Sequence, residues 1–309
     1  MTDPQSESGA TTARERRVAI LLMVAAAVLW SAGGLGVKLV HASALSIAGY
    51  RSLFAIPVML VDTLLRARRA AVDPRACLRS PRVWGGAVSY AVMVVTFVVA
   101  AKLTTAANAI LIQYTGPIYV ALLSWPVLKE RLRGWDWFAI VGCVVGMAIF
   151  FWTEIDPQGK VGNLVALLSS FGFGALPILL RLEERALVAK GQSGLAQVAP
   201  IAAMTLGNGL AVLVGAREMV THPPDTAVGF LVVALLGTFQ IGVPYILYGI
   251  AVRRLRAVES SLIATVEPVI NPLWVFLVTG EHPTLSAAIG GAFIVGSVLT
   301  QTVGSRRKT

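Results

Sequence analysis

Long apolar stretches separated by short polar segments run along almost the whole chain of 309 residues. Seven of these stretches carry no charged residue, and three more reach a similar length while holding one or two ionic residues. A helix that rises about 1.5 Å per residue needs about 20 residues to cross a hydrocarbon core of about 30 Å. The pattern therefore predicts ten membrane-spanning helices, called spans 1 to 10 below: 18–37, 44–65, 83–101, 103–128, 134–152, 161–180, 191–216, 226–252, 257–280 and 283–305.

The composition agrees with this pattern and excludes a soluble globular class. Hydrophobic residues make up 56% of the chain and charged residues only 14%, which leaves too little polar surface for a water-soluble domain of this size. Because the polar segments between spans are short, no extramembrane domain is expected. The predicted fold class is an all-α integral membrane protein.

Basic residues decide the predicted orientation. The net charge is +10, and 21 of the 26 Lys and Arg residues lie in the tails and loops that face one side when ten spans alternate. Basic residues concentrate on the cytoplasmic side of membrane proteins, so both termini are predicted to be cytoplasmic and the protein to be a multi-pass protein of the cytoplasmic (inner) membrane. The Arg-rich loop 66–82 is expected to contact membrane lipids. The positive charge is thus explained without a nucleic-acid partner.

The chain contains two copies of one unit. Pro117 and Pro268 are 151 residues apart, and so are Glu130 and Glu281. The same offset relates further pairs along the two halves: Gly86 and Gly237, Lys102 and Arg253, Leu111 and Leu262, Leu122 and Leu273. Each half holds five spans, so the second half must enter the membrane from the opposite side. The sequence therefore predicts a 5+5 inverted-topology repeat, the arrangement of many secondary transporters.

The repeat also divides the chain. Residues 17–152 form the first five-helix repeat and residues 161–304 the second. The polar residues 1–16 are predicted to be a disordered cytoplasmic N-terminus, and residues 305–309 form a basic C-terminal tail.

Helix-breaking residues recur inside the predicted spans. The pairs considered as hinges are Gly116 with Pro117 in span 4, and Pro268 with Pro272 in span 9. A proline removes one helical hydrogen bond, and membrane helices tolerate the loss where neighbours satisfy the freed carbonyl. These residues are interpreted either as hinges that let each half rock or as static kinks.

Five charged residues lie within the predicted spans: Arg51 and Asp62 in span 2, Asp136 near the start of span 5, and Glu259 and Glu267 in span 9. Arg51, Glu259 and Glu267 are the candidate functional charges. Charges inside a membrane usually face a cavity or a partner. Arg51 is expected to pair with Glu267 or with a substrate carboxylate, or else to bond backbone carbonyls in a structural role. Glu259 lies near the start of span 9 and is expected to be solvated at the cytoplasmic interface. Glu267 is a candidate proton carrier, because burial favours the neutral acid, or a neutral structural group.

Polar and aromatic residues of spans 3, 4, 8 and 9 supply the candidate substrate cavity. Spans 3 and 8 are equivalent in the repeat, as are spans 4 and 9, so their polar groups converge if the repeat axis passes between them. An apolar cavity with a few amide and phenol groups suits a small organic solute. The candidates are Tyr90, Asn108, Gln113, Tyr114, Tyr119, Gln240, Tyr245, Tyr248, Asn271 and Trp274.

Several other function classes find no support in the sequence. The three histidines fall in predicted outer loops without metal-ligand spacing, so no metal and no cofactor is expected. No catalytic cluster of an enzyme and no ATP-binding loop is visible. A channel would lack paired hinges. Gly142 and Gly146 form a GxxxG pair in span 5 that could pack the fold or a homodimer, so both a monomer and a homodimer remain open.

Several short motifs resemble one family. Thr115-Gly116-Pro117 followed by Lys129-Glu130-Arg131-Leu132, and Glu267-Pro268 followed by Gly280-Glu281, are similar to the fourth- and ninth-helix patterns of the EamA family in the drug/metabolite transporter superfamily. Leu29-Trp30-Ser31 in span 1 and Arg51 in span 2 also match that family's style. The resemblance covers residues 18–304 and allows a YddG-type amino-acid exporter. It implies alternating access, efflux of amino acids or related metabolites, and spans 5 and 10 outside the central cavity.

The sequence thus predicts a secondary transporter that exports small organic metabolites, with aromatic or apolar amino acids as the expected small-molecule substrates, and not an enzyme. The alternatives are a polytopic membrane enzyme acting on a lipid-linked or apolar substrate, and a carrier of drugs or other metabolites with the same fold.

Overall fold

The structure, a computed structural model, describes residues 13–38, 40–104, 106–152, 159–279 and 284–304. Within these ranges the protein is all-helical and contains no β-strand. The α-helices are α1 (Ala13–Trp30), α2 (Gly33–Lys38), α3 (Ala44–Arg69), α4 (Pro81–Leu103), α5 (Ala106–Gln113), α6 (Gly116–Leu128), α7 (Gly134–Phe150), α8 (Lys160–Ala189), α9 (Ser193–Thr221), α10 (Ala227–Leu235), α11 (Val243–Ala251), α12 (Ala257–Ala264), α13 (Glu267–Thr279) and α14 (Leu285–Gly304). A 3₁₀ segment covers Pro74–Arg79, and a π-helical segment, Leu236–Gly242, joins α10 to α11.

Many of these helices have the length and composition of membrane spans. Seven helical stretches in the described ranges are long and apolar enough to cross a membrane: Ala44–Arg69, Pro81–Leu103, Asn108–Leu128, Lys160–Ala189, Ser193–Thr221, Ala227–Ala251 and Leu285–Gly304. Gly134–Phe150 is a shorter apolar helix. Large apolar side chains are exposed on the outer surfaces of these helices: Leu122, Val141 and Leu213, for example, are each more than half exposed.

Helix boundaries repeat with the sequence offset of 151 residues. The helices α5 and α6 cover 106–113 and 116–128, while α12 and α13 cover 257–264 and 267–279. Each boundary of the second pair is the corresponding boundary of the first pair plus 151. The likeness between the two halves therefore extends from single residues to the points at which helices begin and end.

Spans 4 and 9 are broken helices, and the breaks lie just before the hinge prolines. The helix α5 ends where Thr115 N donates to Ile112 O at 3.1 Å, and α12 ends where Val266 N donates to Ile263 O at 3.2 Å. Pro117 is then the second residue of α6, and Pro268 the second residue of α13. In the first turn of a helix a proline costs no hydrogen bond and its fixed φ favours the helix, so these prolines begin new helices rather than distort continuous ones.

The helices α5 and α12 begin at opposite ends of α8. At the start of α5, Thr104 Oγ1 donates to Asn163 Oδ1 near the start of α8, at 3.1 Å. Close to the start of α12, the carbonyl of Arg253 accepts from Arg181 Nη1 near the end of α8, at 3.2 Å. Asn163 and Arg181 are 18 positions apart, which corresponds to about 27 Å along a helix. Two helices that are equivalent in the repeat thus begin at opposite ends of the molecule.

The helices α7 and α14 pack closely through glycines. A Cβ atom at Gly146 would lie 2.9 Å from the Gly290 carbonyl oxygen, and a Cβ at Gly142 would collide with the Ser297 hydroxyl. Small residues allow this approach of two helix backbones. Neither α7 nor α14 contributes a residue to the cavity described next.

Candidate functional site

A narrow cavity of about 60 Å³ lies between the two halves of the protein. A volume of this size holds a few water molecules, so the helices must separate before an organic solute fits. The first half contributes one basic residue, one amide and several aromatic and apolar residues, and the second half contributes an acid, a second amide, and further aromatic and apolar residues. The lining residues are Trp30, Arg51, Met93, Val94, Phe97, Gln113, Tyr114, Phe173, Gln240, Ile241, Tyr245 and Glu267.

Arg51 is the basic group of the cavity and is only 4% exposed. Its Nη2 donates to Gln240 Oε1 at 2.5 Å, and Gln240 Nε2 in turn donates to the Trp30 carbonyl at 3.1 Å. Gln240 lies in the π-helical segment, where Gly237 lacks a side chain that would collide with the Arg51 carbonyl. Among the described residues, Arg51 Nε and Nη1 have no hydrogen-bond acceptor.

Glu267 is the acid of the cavity. Its Oε2 accepts a short hydrogen bond from the hydroxyl of Tyr114 at the end of α5. The expected ion pair between Arg51 and Glu267 is not formed: both line the cavity, but in the described structure each hydrogen bonds a neutral partner instead. The break between α12 and α13 places Glu267 in the first turn of α13, where the helix dipole favours a negative charge.

Aromatic rings form one wall of the site. The ring of Tyr245 lies 4.8 Å from that of Trp30 and 4.7 Å from that of Tyr90, measured between centroids, and Tyr248 lies 5.8 Å from Trp30. Tyr90 is completely buried, and Asn208 donates to its hydroxyl at 3.1 Å. Tilted and edge-on rings at these separations attract one another, which gives the cavity an ordered apolar wall.

The sequence candidates divide into three groups. Gln113, Tyr114, Gln240 and Tyr245 line the cavity. Tyr90 and Tyr248 stand behind them in the aromatic wall.

Three further candidates lie elsewhere. Asn108 bonds at the start of α5, Tyr119 stacks on Phe171 at 4.4 Å, and Trp274 donates from Nε1 to Ser31 Oγ at 2.7 Å. The side chain of Asn271, like that of Pro272, lies outside the described part of the chain.

Some cavity residues carry no polar signal in the sequence. Phe97, Phe173 and Ile241 line the cavity but look like ordinary lipid-facing or core residues in an apolar span. Gln113 is held in place by Ser169, whose hydroxyl accepts from Gln113 Nε2 at 2.9 Å and donates to the Met93 carbonyl at the same distance. Only the helix packing reveals such neighbours.

Glu259 is buried and ion-paired, and the expectation that it would be solvated is wrong. It is 4% exposed and lies 2.9 Å from Arg16 Nη2 and 3.5 Å from Arg256 Nη2. Arg256 also forms two bonds of 2.7 and 2.8 Å with Asp136, a completely buried carboxylate that further accepts from Gln301 Nε2 at 2.9 Å. The N-terminal end of α1 covers Glu259, and no sequence pattern indicates a partner 243 positions away. We call Arg16, Asp136, Arg256 and Glu259 the ion-paired end.

A second group of ion pairs extends this end towards α8. Glu130 accepts from Arg181 Nε at 2.9 Å and also from Arg185. Glu184 lies 3.5 Å from Arg181 Nη1 and 3.6 Å from Arg253 Nε. These contacts join the end of α6, from the first half, to α8 and the loop before α12, from the second half.

Burial and neighbouring carboxylates have opposite effects on the pKa values of Arg253 and Arg256, which lie just before α12. Burial lowers the pKa of Arg253, and the Glu184 carboxylate only partly offsets that effect. Burial acts on Arg256 in the same direction, but Asp136 and Glu259 outweigh it and raise its pKa. In the 3₁₀ segment, burial raises the pKa of the Cys77 thiol to about 11, so this thiol is unreactive near neutral pH.

At the start of α5, the contacts between the described residues join neutral groups. Asn108 Nδ2 donates to Asn163 Oδ1 and to Thr104 Oγ1, each at 3.1 Å, and Thr104 Oγ1 donates to Asn163 at 3.1 Å. We call Thr104, Asn108 and Asn163 the amide end. Among the described residues, no group of three or more His, Cys, Asp or Glu side chains could hold a metal ion.

Comparisons with known proteins agree with this arrangement. The sequence model of the EamA-like transporter family matches residues 17–152 and 160–302. No curated protein matches the chain. A crystal structure described only as that of a protein is 21% identical and has a TM-score of 0.77, and the match covers 94% of this chain and 99% of the other. At that identity the likeness concerns the fold.

Proposed function

Because the chain belongs to the EamA-like transporter family, we propose that it is a secondary transporter that exports small organic metabolites, with aromatic or apolar amino acids as its substrates. Transport crosses the cytoplasmic membrane by alternating access between two inverted repeats, and the protein acts as a carrier rather than an enzyme. We also propose that the chain crosses the membrane ten times and that both termini lie in the cytoplasm.

The cavity between the halves carries the proposal. It combines one buried cation, one acid, two amides and an aromatic wall, and residues from both repeats line it. An apolar pocket with a few oriented polar groups suits a small organic solute. A site shared by two repeats also changes its access when one repeat tilts against the other.

The broken helices support alternating access. The helices α5 and α12 occupy equivalent positions yet begin at opposite ends of α8, and each is followed by a break beside the cavity. One end is held by ion pairs and the other by amide and hydroxyl groups. Tilting α5 or α12 about its break would release one set of contacts while the other set persists.

The test is counterflow uptake into liposomes that contain only the purified protein. The liposomes are loaded with one unlabelled amino acid at a time, and uptake of the radiolabelled form is measured; a wider panel of metabolites follows. We expect uptake of at least one small organic solute, and protein-free liposomes and liposomes carrying heat-inactivated protein serve as controls. If no solute in the wide panel moves through folded protein, the proposal of a carrier is wrong.

A pH gradient in the same liposomes tests coupling to protons. Glu267 is the carboxyl group of the cavity, so it is the proposed proton-binding residue if uptake depends on the gradient. The comparison is wild type against Glu267→Gln, which keeps the shape of the side chain. Equal pH dependence of the two proteins would exclude Glu267 as the proton carrier. Net uptake into liposomes without internal substrate that is unchanged by the gradient would identify a facilitator.

A further inference from the structure

Three buried N–H donors at the cavity have no acceptor. Arg51 Nε and Nη1 and the indole Nε1 of Trp30 lack hydrogen-bond partners among the described residues. Arg51 is 4% and Trp30 5% exposed, and both line the cavity. Buried donors of this kind are rarely left unsatisfied in proteins, and an orphaned donor on a charged group is especially costly. The site therefore lacks an acceptor that a ligand can supply.

The geometry of the guanidinium group defines that acceptor. Arg51 Nη2 donates one of its two hydrogens to Gln240 Oε1. Its other hydrogen lies beside either Nε or Nη1, because Nη2 shares one edge of the planar group with each of them. A carboxylate accepts two parallel hydrogen bonds from such an edge. A neutral carbonyl, like that of Gln240, satisfies one donor and leaves the cation without a counter-charge.

The charges on the cavity specify the rest of the ligand. Glu267 supplies a carboxylate on the same cavity, bonded by Tyr114 and not by Arg51. A ligand with a carboxylate alone would leave that acid unmatched, and a ligand with an ammonium alone would leave Arg51 unmatched. The aromatic wall of Trp30 and Tyr245 suits an apolar side chain.

We propose that Arg51 and Trp30 form a carboxylate-binding subsite and that Glu267 receives the ammonium group of the same ligand. The inference rests on the proposed function as a carrier of amino acids and assigns the recognition of their two charged groups to named residues. Without a ligand, the neutral amide of Gln240 accepts one hydrogen bond from Arg51, and the carboxylate of a bound ligand would compete with it as an acceptor.

A substitution at Gln240 tests whether Arg51 binds a ligand carboxylate. Gln240→Glu has nearly the same shape but sets a permanent carboxylate against Arg51, at the position of the 2.5 Å bond. The variant adds an ion pair with Arg51 but loses the Nε2 donor that bonds the Trp30 carbonyl at 3.1 Å, so its folding is checked by thermal unfolding. The folded variant should not bind a ligand carboxylate. Gln192→Glu, on an exposed residue at the start of α9, adds the same charge away from the cavity and serves as the control.

The probes are L-phenylalanine with its decarboxylated analogue phenethylamine, and L-leucine with isopentylamine. Binding to detergent-purified protein is measured by titration calorimetry and by thermal stabilisation. We expect the amines to bind the wild type about 10- to 100-fold more weakly than the amino acids, the size of effect that lost charge-assisted hydrogen bonds produce. Gln240→Glu should lose amino-acid binding, while Gln192→Glu keeps the wild-type affinity.

A second variant covers the case in which Gln240→Glu does not fold. Arg51→Lys keeps the positive charge but replaces the planar fork by a single ammonium. We expect it to bind the amino acids at least about tenfold more weakly, as the loss of one bidentate contact implies.

Three results would overturn the inference: amines that bind as tightly as amino acids, folded Gln240→Glu with wild-type affinity, or no binding of any of the four probes. Each can be told apart from failure of the proposed function. Liposomes that exchange a solute without a carboxylate would keep the carrier and remove the carboxylate subsite, whereas liposomes that exchange nothing would remove both.

Discussion

In the described part of the chain, two positions that are equivalent in the repeat form different kinds of contact at opposite ends of α8. Glu259 in α12 and Asn108 in α5 are 151 positions apart and lie at equivalent places in the first turns of their helices. Glu259 pairs with Arg16 and Arg256, while Asn108 bonds to Thr104 and Asn163. The equivalent helices α12 and α5 thus form ionic contacts in one case and neutral contacts in the other.

The difference matters because the two kinds of contact respond differently to perturbation. Removing one partner of a buried ion pair leaves an uncompensated charge, whereas removing a neutral amide leaves polar groups that water can satisfy once the end opens. The repeat therefore supplies equivalent moving parts, and the side chains decide which end is held more firmly. The predictions below alter first the ion-paired end and then the amide end.

The largest effect is expected from Asp136→Ala at the ion-paired end. Arg256 would remain buried without its two bonds to Asp136, and the loss of one partner of a buried pair costs about 3–5 kcal/mol. The measurement is the free energy of unfolding in detergent. Asp62→Ala is the matched control, since Asp62 pairs with Arg66 one turn away and both side chains are 21% exposed. Similar losses in the two variants would contradict the assignment of Asp136 to a buried network.

Glu259→Gln is expected to have an intermediate effect. Glutamine preserves the shape and the bond to the backbone of Arg256 but removes the charge that faces Arg16 and Arg256. Hydrogen bonds to charged groups contribute about 1.5–3 kcal/mol, so the unfolding free energy should fall by that order. Arg16→Gln gives an independent check. If the double variant loses as much as the sum of the single variants, the two residues do not act as a pair.

Asn108→Ala at the amide end is expected to cost less. Its bonds to Thr104 and Asn163 join neutral groups, and a neutral hydrogen bond contributes about 0.5–1.5 kcal/mol. Thermal unfolding of Asn108→Ala and Glu259→Gln under the same conditions shows which variant loses more stability, and therefore which end contributes more to it. A larger loss for Asn108→Ala would reverse the comparison.

The smallest change in stability is expected from Pro117→Ala and Pro268→Ala. Each proline lies in the first turn of a helix, so its replacement costs less than about 1 kcal/mol. Alanine also allows the preceding helix to continue through the break, which should slow turnover in liposomes more than it weakens binding. Pro81→Ala, in the first turn of the unbroken α4, controls for the substitution itself. Normal turnover in both folded variants would reduce these prolines to static features.

Much of the architecture could be predicted from the sequence because it depends on local patterns. Apolar segment lengths predict the helices, and pairs such as Pro117 and Pro268 predict the repeat that the family match contains. Pro117 and Pro268 indicate hinges or kinks in spans 4 and 9, but hydropathy does not show that each span divides into two separate helices. The π-helical segment that carries Gln240 leaves no local sign either.

The site was harder to predict because its contacts join distant positions. Arg51 was expected to meet an acid or a carbonyl, yet its partner is Gln240, 189 positions away. Asp136 was noted only as an ionic residue near the start of span 5, and its partner Arg256 is 120 positions away. Periodicity states which face of a helix is polar, but it does not state which polar faces meet.

We propose that the ion-paired end and the amide end give alternate access to one cavity, so that opening one end closes the other. Ala257 and Ala109 report on the two ends, since both are completely buried, next to Arg256 and Asn108 respectively. Single cysteines are placed at these two positions in protein that lacks Cys77 and Cys143. Their rates of reaction with a membrane-impermeant maleimide are measured in nanodiscs, where both faces are accessible, with and without Glu259→Gln. We expect Glu259→Gln to accelerate labelling at position 257 and to slow it at position 109. Rates that rise together at both positions, or that do not change at either, would contradict the account.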